Sequence, residues 1–412
     1  MSTSRVGPAE VGIYNEPYGG AFGGAEFMTA LLSETVSHSR SVDLVHHHEN
    51  LTLRDLSDFS GQPLDKVTLR FVQPATFGVR ASANLWQTRQ ESRNWHSELS
   101  APYKDFVGLC HWIPPFCRAK NGVLIVLFPI YRKDLHWPWN DPPQSFGDVA
   151  RHTRNAYYEW EWRQRLASYS HVLSISNFSR TWTKRYWGID STVVYPPVAF
   201  TERAGEKRNS IVSVGRFATI GHGKKHAELI RIFGELPELR DAGWSYDCIG
   251  ALSKSDANQA YFDGLMGLAS EAGVTLRTNL TRDELSDRYT AAKIFVHAAG
   301  FGDPEDRPEL AEHFGIATVE AMAAGCVPIV VNKGGQPEIV EHGVSGLVWN
   351  SLGELKECIR LVARDDSLRR RLSAAARERA RRFGTDRFVR DMLPLIDGRP
   401  ISSVASSRKK IS

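Results

Sequence analysis

"AEHFGIATVEAMAAGCVP", residues 311–328, decides the fold and sets the question of function. Glu312 and Glu320 stand eight positions apart, with Phe314 and Gly315 between them. An alanine-rich run follows and is stopped by Gly325, Cys326 and Pro328. The pattern reads as loop, helix and strand, with a helix expected over 317–325 and a strand over 327–331. A helix start carries amide N–H groups without intrahelical acceptors, and the positive end of the helix dipole favours an anion there. Gly315 lets a ligand approach the main chain. Glu312, in the loop, can accept hydrogen bonds from sugar hydroxyls, and Glu320, about one turn into the helix, from a ribose diol. Two carboxylates for two polyols, with a phosphate between them, is the expectation. Ordinary acids favoured by a helix dipole would give the same spacing, so the surrounding sequence has to decide.

Outward from this stretch the chain keeps an α/β rhythm. Upstream, strands are expected at 210–215, 245–250, 274–277 and 293–297, with helices at 223–235, 257–272 and 282–291 between them; a helix at 336–341 follows. The first half runs likewise, with strand candidates at 10–17, 41–48, 66–72, 105–112, 122–128, 171–176 and 192–198. The run "GVLIVLFPIY" is about half the ~20 residues that span a bilayer and reads as a buried parallel strand. After Pro196 and Pro197 the composition turns polar and charged. The expectation is two Rossmann-like domains facing each other across a cleft. The first covers 1–200 and the second 201–370; a C-terminal helix follows at 371–397, and a short basic tail, expected to be disordered, at 398–412.

Composition limits the choice of function. The 412-residue chain is 42% hydrophobic and 24% charged, with a net charge of +4, which does not indicate general nucleic-acid binding. Its five scattered cysteines contain no C-x-x-C pair, and the N-terminus shows no secretory signal pattern. Both fit a reducing cytosol. Most of the eleven tryptophans precede residue 190, where core packing accounts for the majority.

Further stretches carry chemistry. In "SIVSVGRFATIGHGKKHAELIRIF", Arg216 follows a strand and Lys224 and Lys225 open a helix. A planar guanidinium and a compact ammonium together suit a diphosphate. "GGAFGGAE" is a glycine loop after the first strand, able to present amides but not of the G-x-G-x-x-G form. In "TNLTRDEL", Thr281 and Glu284 have capping-box spacing. The three histidines of "VHHHENL" alternate faces on a strand and cannot all grip one ion. No D-x-D triplet occurs, so the usual carboxylate cradle for a metal-bound nucleotide sugar is missing, and no metal or other cofactor is expected.

"EHFGIATVEAMAAGCVPIVVNKGGQPEIVEHGVSGLVW", residues 312–349, resembles the donor-site signature of the retaining GT-B glycosyltransferases of family 4. The wording "EHFGI" is similar to mannosyltransferases that extend lipid-linked oligosaccharides, and the resemblance is strong over roughly 170–385. It implies transfer of a hexose from GDP-mannose or a UDP-hexose to a saccharide or lipid-linked acceptor, without a metal and by front-face displacement. It implies that Arg216 and Lys224 hold the diphosphate and that Glu312 serves the sugar. Gly23, Gly24, Lys225, His313, Phe314, Gly315, Ile316, Glu320 and Asn279 would complete the donor site. Many family members carry a histidine where this chain has Leu127, and His111 is the nearest substitute. A nucleotide-sugar epimerase of the same fold and a non-catalytic nucleotide-sugar-binding protein are the alternatives. The Arg-rich C-terminal helix would cross back onto the first domain, touch anionic lipid on the inner face of the membrane, or present a solvated face.

Overall fold

The structure is a computed structural model that describes residues 9–15, 22–74, 85–110, 113–129, 156, 159–200, 205–218 and 223–399. The chain divides into two compact units. One comprises Met1–Ser174, Arg180–Val194 and Phe388–Ser412; the other comprises Ile175–Ser179 and Tyr195–Arg387.

The first unit is built on β1 (Val11–Asn15), β2 (Val42–His46), β3 (Val67–Phe71), β4 (Asp105–Cys110), β5 (Asn121–Val126), β6 (His171–Ser174) and β7 (Thr192–Val193). They form one sheet in the order β3-β2-β1-β4-β5-β6-β7, and every pairing is parallel. β1, β2, β4 and β5 are buried along their whole length. Both faces of such strands are covered, so their sequence is apolar without alternation. Gly12 makes room for an aromatic ring: a β-carbon there would lie 2.4 Å from the Tyr103 ring. The last helix, Thr385–Ile396, returns its end to this unit. Asn121 Nδ2 donates to the carbonyls of Leu395 (3.0 Å) and Ile396 (3.2 Å). Arg40 reaches Asp105 at 2.9 Å and Asp397 at 3.2 Å.

The second unit contains β8 (Arg208–Val214), β9 (Ser245–Gly250), β10 (Val274–Thr278), β11 (Ala292–His297), β12 (Val327–Val331) and β13 (Leu347–Trp349). Their order is β10-β9-β8-β11-β12-β13, again all parallel. Helices cover the sheet around a core that includes Phe217, Ile230, Phe233, Tyr246 and Trp349. Their starts are set by local chemistry: Ser255, Thr281, Ser351 and Asp365 each accept a hydrogen bond from an amide of the first turn. Thr281 and Glu284 form the capping box read from their spacing, with amide bonds of 3.2 and 2.8 Å. β13 and the helices Pro237–Asp241 and Leu352–Arg364 are additions to the sequence reading.

Both sheets are doubly wound, which makes the two units Rossmann-like. In the second, chain order reverses between β8 and β11. Ligands of such sheets bind beyond the carboxyl ends of the strands at that point. Val214 and His297 end these two strands. Among the described residues no helix is long and apolar enough to cross a membrane.

Candidate functional site

The site at this reversal is assembled from two loops. One follows β8. Gly215 has no side chain, and a β-carbon there would lie 2.5 Å from Lys224 Cγ, so the lysine stem lies against the main chain. Lys224 Nζ makes a short ion pair with Glu312 Oε2, both side chains being mostly buried. Lys225 takes the left-handed conformation at φ 57° and precedes the helix His226–Gly234. A non-glycine residue held there costs about 1 kcal/mol. Its ammonium contacts Asp303 Oδ1 at 2.5 Å, and Lys333 Nζ donates to the Asp303 carbonyl at 2.9 Å. Buried His226 donates through Nε2 to the Gly215 carbonyl at 3.3 Å. Its pKa is pushed down to about 4, chiefly by burial.

The other loop runs from β11 to the helix Ile316–Ala323. His297, the last residue of β11, places Nε2 3.3 Å from Glu312 Oε2. The main chain of residues 312–315 is fixed from below. The Gly335 amide donates to the Glu312 carbonyl at 2.8 Å. Gly334, at φ +64°, lies so close that a β-carbon would fall 2.1 Å from that carbonyl. Gln336 Nε2 donates to the Phe314 carbonyl at 3.2 Å while its Oε1 accepts from Thr318 at 2.8 Å. Ser176 donates to the His313 carbonyl at 2.6 Å. Gly315, at φ 126° and ψ 64°, is the residue before the helix. Its carbonyl accepts from Thr318 and Val319, and the first helical amides, Ile316 and Ala317, lie ahead of any intrahelical acceptor.

The glutamates at the two ends of this segment differ. Glu312 pairs with the Lys224 ammonium and lies within hydrogen-bond distance of the His297 ring. Glu320 lies 3.4 Å from Tyr289 Oη. Burial raises the Glu320 carboxyl, against the opposing pull of Arg282 and the Tyr289 hydroxyl. The Phe314 ring is buried between Tyr195, at 5.7 Å, and Phe383, at 5.5 Å, and serves packing. His313 stacks with Phe178 at 6.4 Å. Arg216 is exposed just beyond β8. Asn279, at φ 53°, uses its side chain on the main chain of Leu252, accepting at 2.9 Å and donating at 3.3 Å.

In the first unit, Gly23 precedes the helix Gly24–Ser37, and its amide donates to Glu26 at 2.8 Å. Glu26 also accepts from Asn15 at 3.2 Å. His111 and most of the glycine loop lie outside the described residues. Of the three histidines, His47 is fixed by Val72 and Tyr14: Nδ1 donates to the carbonyl at 2.6 Å and Nε2 accepts from the hydroxyl at 3.0 Å. The His46 Nδ1 atom accepts from the His48 amide at 3.3 Å.

Lys224 and Glu312 therefore meet, with His297 and the Lys225–Asp303 pair around them. Sequence reasoning missed His297, because one histidine ending an apolar strand looks like a core residue. It also missed Asp303 and Glu338. The Glu338 carboxylate accepts from the amides of Asn177 and Phe178, both at 2.7 Å, and from the Tyr195 hydroxyl at 3.1 Å. A second acid in the "PEIV" stretch was the only available signal.

Residues 198–379 match the family described as glycosyl transferases group 1. The match is to this segment, under half of the chain. A GDP-Man:Man(3)GlcNAc(2)-PP-Dol alpha-1,2-mannosyltransferase of Dictyostelium discoideum is 24% identical over 60% of this chain and 52% of its own length. A D-inositol 3-phosphate glycosyltransferase of Streptomyces bingchenggensis is 35% identical over 29% of this chain and 26% of its own. The chain thus spans about half or less of these curated relatives. At the level of fold, the crystal structure of Anabaena HepE in complex with UDP and glucose aligns with a TM-score of 0.63, covering 94% of this chain and 99% of that one, at 15% identity. A glycosyltransferase from Rickettsia africae aligns at 0.65, over 94% and 97%, at 13% identity.

Proposed function

We propose that this protein is a retaining hexosyltransferase that moves a sugar from a nucleotide diphosphate to a saccharide or lipid-linked saccharide. The observation that carries this reading is the pairing of Lys224 with Glu312 at the head of the helix Ile316–Ala323, at the reversal point of a doubly wound sheet. Lys224 and exposed Arg216 take the diphosphate, together with the first helical amides. Glu312 accepts from hydroxyls of the hexose, Glu320 from the ribose, and Lys225 borders the same pocket. Gly23 and Gly24 serve the donor phosphates in this reading, and His111 the sugar.

Negative charge grows on the leaving diphosphate in the transition state, and cations and amides already in place stabilise it without reorganising. Displacement from the front face lets the leaving phosphate take the proton of the attacking hydroxyl, so no covalent nucleophile is needed. No metal is required in this reading. Exclusion of water around the bound donor limits its hydrolysis. The relative named for GDP-Man points to GDP-mannose as donor; a fold neighbour in complex with UDP-glucose points to a UDP-hexose. The protein works in the cytoplasm, with its Arg-rich C-terminal helix against the anionic face of the membrane when the acceptor is lipid-linked.

Thermal unfolding with UDP, GDP, ADP and TDP tests the nucleotide, since a ligand of the folded state raises its stability by mass action. The matching nucleotide sugar is then incubated with saccharide and lipid-linked saccharide acceptors. One nucleotide raising the unfolding temperature, and its sugar appearing on an acceptor, is the expected result. Donor isomerised without acceptor would indicate an epimerase. Tight binding with no transfer would indicate a non-catalytic binder.

A further inference from the structure

We infer that His297 is a positioning residue for Glu312, holding its carboxylate in place when Lys224 turns to the diphosphate; this rests on the function proposed above. One carboxylate oxygen, Glu312 Oε2, is met by both Lys224 Nζ and His297 Nε2. A carboxylate oxygen only accepts, so Nε2 carries the proton. The two partners differ in stiffness. Lys224 sits on a flexible four-carbon stem. His297 closes a central strand whose Ile294, Phe295 and Val296 pair with β12 and β8. Its ring is 5% exposed and stacks with Phe295 at 6.5 Å.

A diphosphate carries more charge than one carboxylate and draws the flexible ammonium away. Glu312 is mostly buried, with its side chain 17% exposed. Departure of the ammonium removes its charge partner and one of the contacts that orient it. The rigid imidazole stays. It keeps Oε2 fixed, so the carboxylate meets the sugar hydroxyls in one geometry rather than several. The residue acts through Glu312 and touches neither donor nor acceptor.

Two measurements on the full chain test this. The first uses nitrogen-15 histidine labelling and NMR to read the His297 tautomer in the wild type and in Glu312→Ala. The expected result is the Nε2–H form in the wild type and a mixture in the variant. An Nδ1–H form in the wild type overturns the inference and leaves the proposed function standing. The second compares sugar transfer by His297→Leu and His297→Gln. His297→Leu is expected to lower kcat about tenfold, the effect of losing one hydrogen bond to a charged group. Affinity for the nucleoside diphosphate alone should not change, and His297→Gln, which keeps a donor, should recover most of the rate. Unchanged kcat in His297→Leu, or equal loss in both variants with weakened nucleotide binding, reduces His297 to packing. A wild type that shows the Nε2–H form but transfers no sugar removes the proposed function, and the positioning role with it.

Discussion

Lys224 and Glu312 lie 88 residues apart in the chain and form an ion pair where the two central strands of the second sheet end. Each neutralises the other, and both side chains are mostly buried. On the proposed reading, donor binding replaces that pairing: the lysine goes to phosphate and the glutamate to hydroxyls. Lys224→Ala, Arg216→Ala or Glu312→Ala should each lower transfer at least ~10²-fold, as loss of a charge-stabilising group does. Steady-state transfer assays on variants with native circular dichroism check this. Near-normal rates in all three would place the site elsewhere.

The same pair makes a stability prediction. Lys224→Ala removes the ammonium that pairs with Glu312, and breaking a mostly buried ion pair from one side costs more than the pair contributes. The single variants should therefore each destabilise the protein more than Lys224→Ala/Glu312→Leu does. Urea unfolding of the three variants measures the coupling; strict additivity would mean that the ion pair is incidental.

Gly334 should tolerate no side chain. It combines φ +64° with a main-chain carbonyl, that of Glu312, 2.1 Å from where a β-carbon would stand. Gly334→Ala must push the 312–314 loop off its support. A loss of about 2 kcal/mol is expected from the left-handed backbone and the clash together, along with weaker nucleotide binding. Gly343→Ala is the control, since φ +76° is left-handed there too but nothing lies within 4 Å. Equal losses in the two variants would mean that contact with Glu312 does not matter.

Glu338 holds the start of the helix Asn177–Trp187 through the amides of Asn177 and Phe178. A carboxylate at a helix start satisfies amides that have no other acceptor and complements the dipole. Glu338→Ala should cost about 2–3 kcal/mol, the range for hydrogen bonds to a charged group lost from a folded protein. Denaturant unfolding reads the loss, and an unchanged midpoint would refute the role.

Much of the fold is legible in the sequence. Long, apolar, β-branched strands such as β5, β11 and β12 announce themselves, and Thr281 with Glu284 sets a helix start by local chemistry. β13 did not, because three residues carry no periodicity and the strand exists by pairing with β12. At the proposed site, residue types and spacing singled out Glu312, Gly315 and the Lys224–Lys225 pair, and the family resemblance chose Lys224. Contacts between distant segments were not written in that spacing: Lys224 to Glu312, Lys225 to Asp303, Glu338 to Asn177. Asn279, placed in the donor site by the resemblance alone, hydrogen-bonds the main chain of Leu252 through its amide group.

Acid should weaken the protein through its buried histidines. Burial pushes His226 down to about 4 and His96 to about 3, from 6.5. The unfolded chain then binds protons between those values and 6.5 that the folded chain does not, so stability is full above about 6.5 and falls as pH drops. Each histidine contributes a slope of about 1.4 kcal/mol per pH unit in its window. Urea unfolding at pH 7, 6 and 5 measures it. His226→Asn should flatten the slope, and an unchanged slope would clear His226.

The most direct test of the central claim is isothermal titration of GDP-mannose and UDP-glucose into the wild type and into Lys224→Ala. The account predicts that one of the two donors binds the wild type and binds the variant at least about tenfold more weakly, the loss of one charge-assisted contact. Equal affinity in the two proteins would contradict it, as would no binding of either donor to the wild type.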